Sequence, residues 1–245
     1  MRTMKKIISM LLVFSILTVA LCSCDIIGKN PEKLIEEAEM ALKEKAYTVE
    51  MAIQYTSEDE KMSEAISAFT NPSIVIESDG ESFRITMSFD KDGRKNGVKY
   101  TYVDGILYTE LNKLGEITNT KEKISEADRK ELAASLGQAA AISVEDFGSV
   151  DAKSFNGVSV ITCTEIKDEP LNVLVDSLSE QLGGEVFVAI KDVNLSIQLT
   201  DGLYDKTLLT CDYVLSVDDE VYTVTMTYAA RFSYGEVEEI AAPIF

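Results

Sequence analysis

Apolar and polar residues alternate with a period of two along most of this chain, which predicts strands with one buried and one solvated face. Tyr47, Val49, Met51, Ile53 and Tyr55 form the first such run. Phe83, Ile85, Met87 and Phe89 share a face of a second, and Tyr100 and Tyr102 share one in GVKYTYV, which pairs with ILYTELN around Asp104-Gly105. The last third is a meander of three long strands. Leu195, Ile197 and Leu199 share a face of the first, and Leu209, Cys211, Tyr213 and Leu215 a face of the second. Tyr222, Val224, Met226 and Tyr228 line one face of the third, whose other face is nearly all threonine. Asp79-Gly80, Asp104-Gly105, Asn156-Gly157, Asp201-Gly202 and Asp218-Asp219 supply the tight turns.

Helical spacing interrupts this pattern. Asn30 caps a helix with Pro31 at its first position, and Leu34, Ile35, Ala38, Ala41 and Leu42 make its apolar stripe through Lys45. Ser125-Glu126-Ala127-Asp128 reads as a capping box for a helix to about residue 142, and Pro170 opens a second mid-chain helix, LNVLVDSLSEQLGG. MSEAISAFTNPS fits either a short helix or a strand with a loop. The order predicts an α+β fold: one helix, antiparallel strands, two mid-chain helices, then more strands.

The first residues follow another logic. Arg2, Lys5 and Lys6 precede an apolar run from Ile7 to Leu21, shorter than the roughly 18–20 residues that span a bilayer. Residues 1–23 therefore read as an export signal, 24–29 as a short tether and 30–245 as a single domain. Leu21-Cys22-Ser23-Cys24 resembles the bacterial lipobox, which implies acylation of Cys24; at Cys22 the bulky Leu21 would occupy the cleavage position. Two acyl chains at about 0.8 kcal/mol per buried CH₂ would anchor the domain to the outer face of the cytoplasmic membrane.

Charge narrows the partners. Loss of residues 1–23 would take the formal charge from −19 to −22, which repels nucleic acid and anionic headgroups, so the membrane partner is reached through the lipid anchor. The chain has no histidine, which removes Ser-His-Asp and Cys-His catalysis and histidine-ligated zinc. Asp90-Lys91-Asp92-Gly93 lacks the spacing of a calcium loop. Adjacent acids such as Glu238-Glu239 are explained by turns and helix faces. The reading is a protein that is no enzyme, with no catalytic residue, cofactor or metal. Cys163 and Cys211 either pair or stay as buried thiols.

The element order and the ending Phe232-Ser233-Tyr234-Gly235-Glu236-Val237-Glu238-Glu239-Ile240-Ala241-Ala242-Pro243 resemble the LolA/LolB and LppX/LprG-like superfamily of envelope lipoproteins. The resemblance implies a strongly curved antiparallel sheet, an open half-barrel, with the N-terminal helix and two mid-chain helices covering its concave side. It also implies a cavity for a lipid or other amphiphile. The candidate lining is Tyr47, Val49, Met51, Ile53, Phe83, Ile85, Met87, Phe89, Tyr100, Tyr102 and Ile197. The alternative is a fully packed core serving as a protein-interaction or sensory module. If Cys24 carries the anchor, Cys24→Ser moves the protein from the membrane to the soluble fraction, as fractionation and immunoblotting would read.

Overall fold

In the computed structural model the described residues are 30–67, 72–91, 94–125, 144–181, 187–217, 220–235 and 237–244. Eleven strands form one antiparallel sheet: β1 (Tyr47–Thr56), β2 (Ser73–Ser78), β3 (Phe83–Lys91), β4 (Arg94–Val103), β5 (Ile106–Lys113), β6 (Glu116–Lys123), β7 (Phe147–Phe155), β8 (Val158–Ile166), β9 (Phe187–Thr200), β10 (Leu203–Val217) and β11 (Glu220–Tyr234). Their spatial order is β6-β5-β4-β3-β2-β1-β11-β10-β9-β8-β7. Two meanders, β1 to β6 and β7 to β11, therefore meet at a single seam. There β1 and β11 pair along their length, from Tyr47↔Tyr234 to Thr56↔Thr225. The sheet does not close, and β6 and β7 are its edges.

Turn chemistry sets the hairpins. Asp104-Gly105, Leu114-Gly115, Asn156-Gly157 and Asp201-Gly202 all have positive φ at both residues, the conformation that matches the twist of the flanking strands. Asp79-Gly80 is a correction to the tight turn read from sequence. It opens a four-residue loop, residues 79–82, in which Asp79 Oδ1 accepts from the backbone N–H of Glu81 at 3.0 Å and Ser82 at 2.7 Å. Asp218-Asp219 lies outside the described residues. Gly97 on β4 answers a different need, because a Cβ there would stand 2.3 Å from the carbonyl oxygen of Met87.

The sheet is curved, and its irregularities mark a crease. On β9, Asp192 and Val193 together oppose Cys211 of β10, a bulge with Asp192 at φ 52°. Glu165 of the neighbouring β8 is also left-handed, at φ 60°, and Gly148 of β7 faces its carbonyl. Bulges bend a strand and raise its twist, and aligned across three strands they fold that half of the sheet. A second bulge at Asp205 on β10 is held by Gln198 Nε2 at 2.5 Å and Thr200 Oγ1 at 3.3 Å.

Three helices are described: α1 (Pro31–Glu44), α2 (Glu60–Ser67) and α3 (Asp168–Gln181). α1 starts as the sequence indicates, with Asn30 extended before Pro31, and buries Ile35 and Ala38 while packing against β10 and reaching β7. MSEAISAFTNPS resolves as helix over its first part, because Asp59 Oδ1 caps the N–H of Met62 at 2.8 Å, and Met62 and Ile66 bury one face against β1. α3 begins two residues before Pro170 and packs on β9 through Leu171 and Val175. The helix expected over 125–142 lies outside the described residues, apart from Ser125.

β6 and β7 are strands that alternation did not predict. EITNTKEK is exposed at every position, and β7 buries only Phe147 fully. The chain then ends in a strap. Gly235 N–H donates to the Ala46 carbonyl at 3.3 Å, and Arg84, on the face of β3 opposite Phe83 and Ile85, donates to the Glu239 carbonyl at 3.4 Å and pairs with Glu77 at 3.2 Å. Ile240 is buried there, apart from the main core. The strap runs from β11 past the seam to β3. Ile240→Ala should lower stability by about 2–4 kcal/mol in urea unfolding, as for buried isoleucines generally, while Ala241→Ser beside it leaves stability unchanged.

Candidate ligand-binding face

Register puts one apolar surface across the sheet. Leu111 of β5 faces Val98 of β4, and the row continues through Met87, Ile74, Met51 and Ala230 of β3, β2, β1 and β11. It runs on through Thr207, Ile197, Ile161 and Ala152 of β10, β9, β8 and β7. Ten strands thus contribute to a single line of side chains, with further rows on either side. The three helices add their apolar residues to the same buried cluster.

All eleven lining candidates stand on this face. Val49, Met51, Ile53, Phe83, Ile85, Tyr102 and Ile197 are buried, Tyr47, Met87 and Tyr100 are half-buried, and Phe89 is exposed. Phe83 and Tyr102 stack with ring centroids 5.3 Å apart. Cover is therefore graded along β3, β4 and β5. It is complete at Phe83, Tyr102 and Leu107 and thins toward Met87, Val98, Phe89 and Leu111. Cys24 lies outside the described residues.

Two further inward positions carry hydroxyls, Tyr228, which alternation placed on the inner face, and Thr207, which the sequence reading did not single out. Thr207 of β10 and Tyr228 of β11 are diagonal neighbours, since Thr207 faces Ala230 and Leu209 faces Tyr228. Among the described residues neither hydroxyl finds a hydrogen-bond partner, although both are buried. Burial drives the Tyr228 phenol pKa upward, so it stays a neutral donor. A buried hydroxyl without a partner costs roughly 1–3 kcal/mol, so two of them side by side mark a polar spot in an apolar wall. The signal for Thr207 was its phase, two residues before Leu209 in the run that continues through Cys211 and Tyr213.

No family model matches this chain, and no curated protein matches it. Among solved structures it is similar to the ywiB protein from Bacillus subtilis, at 8% identity over 77% of this chain and 92% of that one, with a TM-score of 0.20. The reading of the face rests on its own residues.

Cys163 and Cys211 are free and buried, and β9 runs between their strands. Two strand spacings, about 9–10 Å, exceed the roughly 7 Å between Cα atoms that a disulfide tolerates. Among the described residues no group of three or more Cys, Asp or Glu could hold a metal ion, and no helix is long and apolar enough to cross a membrane. At the end of the sheet that carries α2, Lys61 pairs with Glu220 at 3.0 Å and the Tyr222 hydroxyl donates to the same carboxylate. The Tyr222 and Lys61 contacts hold the Glu220 carboxyl below its usual value, and the exposed Lys61–Glu220 pair ties α2 to β11 above the buried Tyr222.

Burial pushes both thiols from 9.0 up to about 12. Ionising them costs more in the folded chain than in the unfolded one. Their contribution to stability is therefore complete below pH 9 and declines as pH rises toward about 12. Urea midpoints measured across that range should fall, and a Cys163→Ala/Cys211→Ala double variant should show a flatter decline.

Proposed function

We propose that this protein is a membrane-anchored extracytoplasmic lipoprotein that binds a lipid or other hydrophobic ligand within a half-barrel. It is not an enzyme, and it is of the LolA/LolB and LppX/LprG-like kind that its ending and element order resemble. The helices cover the concave side, and the anchor at Cys24 keeps the domain at the outer face of the cytoplasmic membrane. The observation that carries the reading is the apolar face itself, which crosses the sheet almost from edge to edge yet belongs to a sheet that does not close.

Two features make that face suit a ligand. Its cover thins along β3 to β5, where Met87, Tyr100 and Phe89 keep part of their surface, and methionine and aromatic side chains accommodate floppy acyl chains. The Thr207 and Tyr228 hydroxyls offer donors to the oxygen of an ester or carboxyl group. A competing reading, a packed interaction module, is favoured by the centre of the face, where Ile53, Val224, Met226 and Ile197 are essentially inaccessible.

Solvent extraction of protein purified from membranes, followed by mass spectrometry, decides between them. The cavity reading predicts a reproducible bound amphiphile, and an empty protein supports the packed module. Met87→Trp, at a half-buried site, should reduce uptake of a fluorescent fatty acid with little loss of stability. Met226→Trp is no substitute, because its site is full and overpacking there would cost about 1–3 kcal/mol.

A further inference from the structure

Of the four two-residue turns with positive φ at both positions, three begin with Asp or Asn and one with Leu114. A left-handed backbone tolerates Asp and Asn several-fold better than a bulky residue, so leucine is the costly choice at φ 57°. The chain nonetheless fixes this turn from two sides. Asn96, buried on β4, accepts the Leu114 N–H through Oδ1 at 2.8 Å, and Asn112 accepts the Gly115 N–H at 3.0 Å. Those bonds hold an apolar side chain at the tip of the β5–β6 hairpin, where it packs into no core.

The surroundings match. Leu114 is 48% exposed, Leu111 45%, Phe89 42% and Ile117 59%, all near the same end of β3, β5 and β6. Leu111 and Phe89 lie on the inner face and Ile117 on the outer one, so apolar side chains flank the Leu114 tip on both faces, which exceeds the scattered single exposures that any surface carries. Charge is low along the same strands. Residues 90–123, from the end of β3 through β6, hold seven Lys and Arg against six Asp and Glu, a formal charge of +1, while the rest of the chain carries −20.

We infer that the Leu114 hairpin tip is a membrane-contact element, which sets its apolar corner into the interface of a phospholipid bilayer. The chemistry favours a lipid surface over a protein pocket on two counts. The tip is a convex turn, which a deformable medium accepts without a preformed cavity. It also stands in a stretch of this acidic chain without net negative charge, which anionic headgroups do not repel. The inference rests on the anchored location proposed above but not on the ligand cavity. It accounts for the exposed lower part of β3 to β5, because the thinly covered end of the apolar face would then open toward the bilayer.

The chain has no tryptophan, so a single one reports cleanly. Leu114→Trp and, as control, Leu208→Trp, 43% exposed on β10, would each be placed in the full chain and mixed with phosphatidylcholine vesicles whose acyl chains carry bromine. The expected result is a shift to shorter wavelength and loss of emission at position 114, with neither at 208. Unquenched emission at 114, or equal quenching at both, overturns the inference. Flotation of the full chain compared with Cys24→Ser reports the anchor separately, so its failure is distinguishable. Leu114→Asn should raise Tm, because asparagine suits the turn; a fall in Tm would place Leu114 in the fold's own packing and also overturn the inference.

Discussion

The structure depends on keeping one phase of alternation through ten strands. A slip of one residue turns every side chain of a strand to the other face, so each ladder must hold its register for the apolar surface to stay continuous. The seam between β1 and β11 matters most, because among the described residues it is the strand pairing that joins the two meanders, and it pairs Val49, Met51, Ile53 and Tyr55 with Phe232, Ala230, Tyr228 and Met226. The bulges serve the same end. Ile190 and Val193 lie three apart, as do Tyr204 and Thr207, yet all four face inward because Asp192 and Asp205 absorb the extra residue. Phase is kept and the sheet bends at the same points.

That continuity creates a tension between filling and opening. The middle of the face is packed by the helices, with Ile35, Ala38 and Met62 fully enclosed. Toward the free ends of β3 to β5 the same surface loses cover. The edges are managed by other means: β6 carries Glu116, Lys121, Glu122 and Lys123 in eight residues, which discourages pairing with another chain. The sheet thus guards its edge while part of its apolar face stays thinly covered, the feature on which the proposed uptake of apolar matter rests.

Much of this was written in the sequence, and the exceptions have physical causes. Alternation revealed β1, β3, β4, β9, β10 and β11 because each has one buried face, and it put all eleven lining candidates on the same side. It could not reveal β6 or β7. An edge strand exposed on both sides needs no apolar stripe, and β6 is held by backbone pairing to β5 alone. The short α2 left a sign in Asp59 followed by Met62 and Ile66 at helical spacing, diluted by the polar residues between them. The graded cover of the face and the unpartnered hydroxyls of Thr207 and Tyr228 arise from tertiary packing, which no local pattern encodes.

The central claim is that the inner face receives a ligand at its thinly covered end. Labelling the methionine methyl groups with carbon-13 and titrating the protein with a long-chain fatty acid tests it at atomic level. Met87, Met51 and Met226 sit on the face at increasing distance from the β5 side, with Met87 half-buried and the other two buried. The account predicts intermolecular Overhauser contacts and a large shift at Met87, smaller changes at Met51 and little at Met226. Saturating fatty acid with no contact to any of the three methyl groups would contradict it.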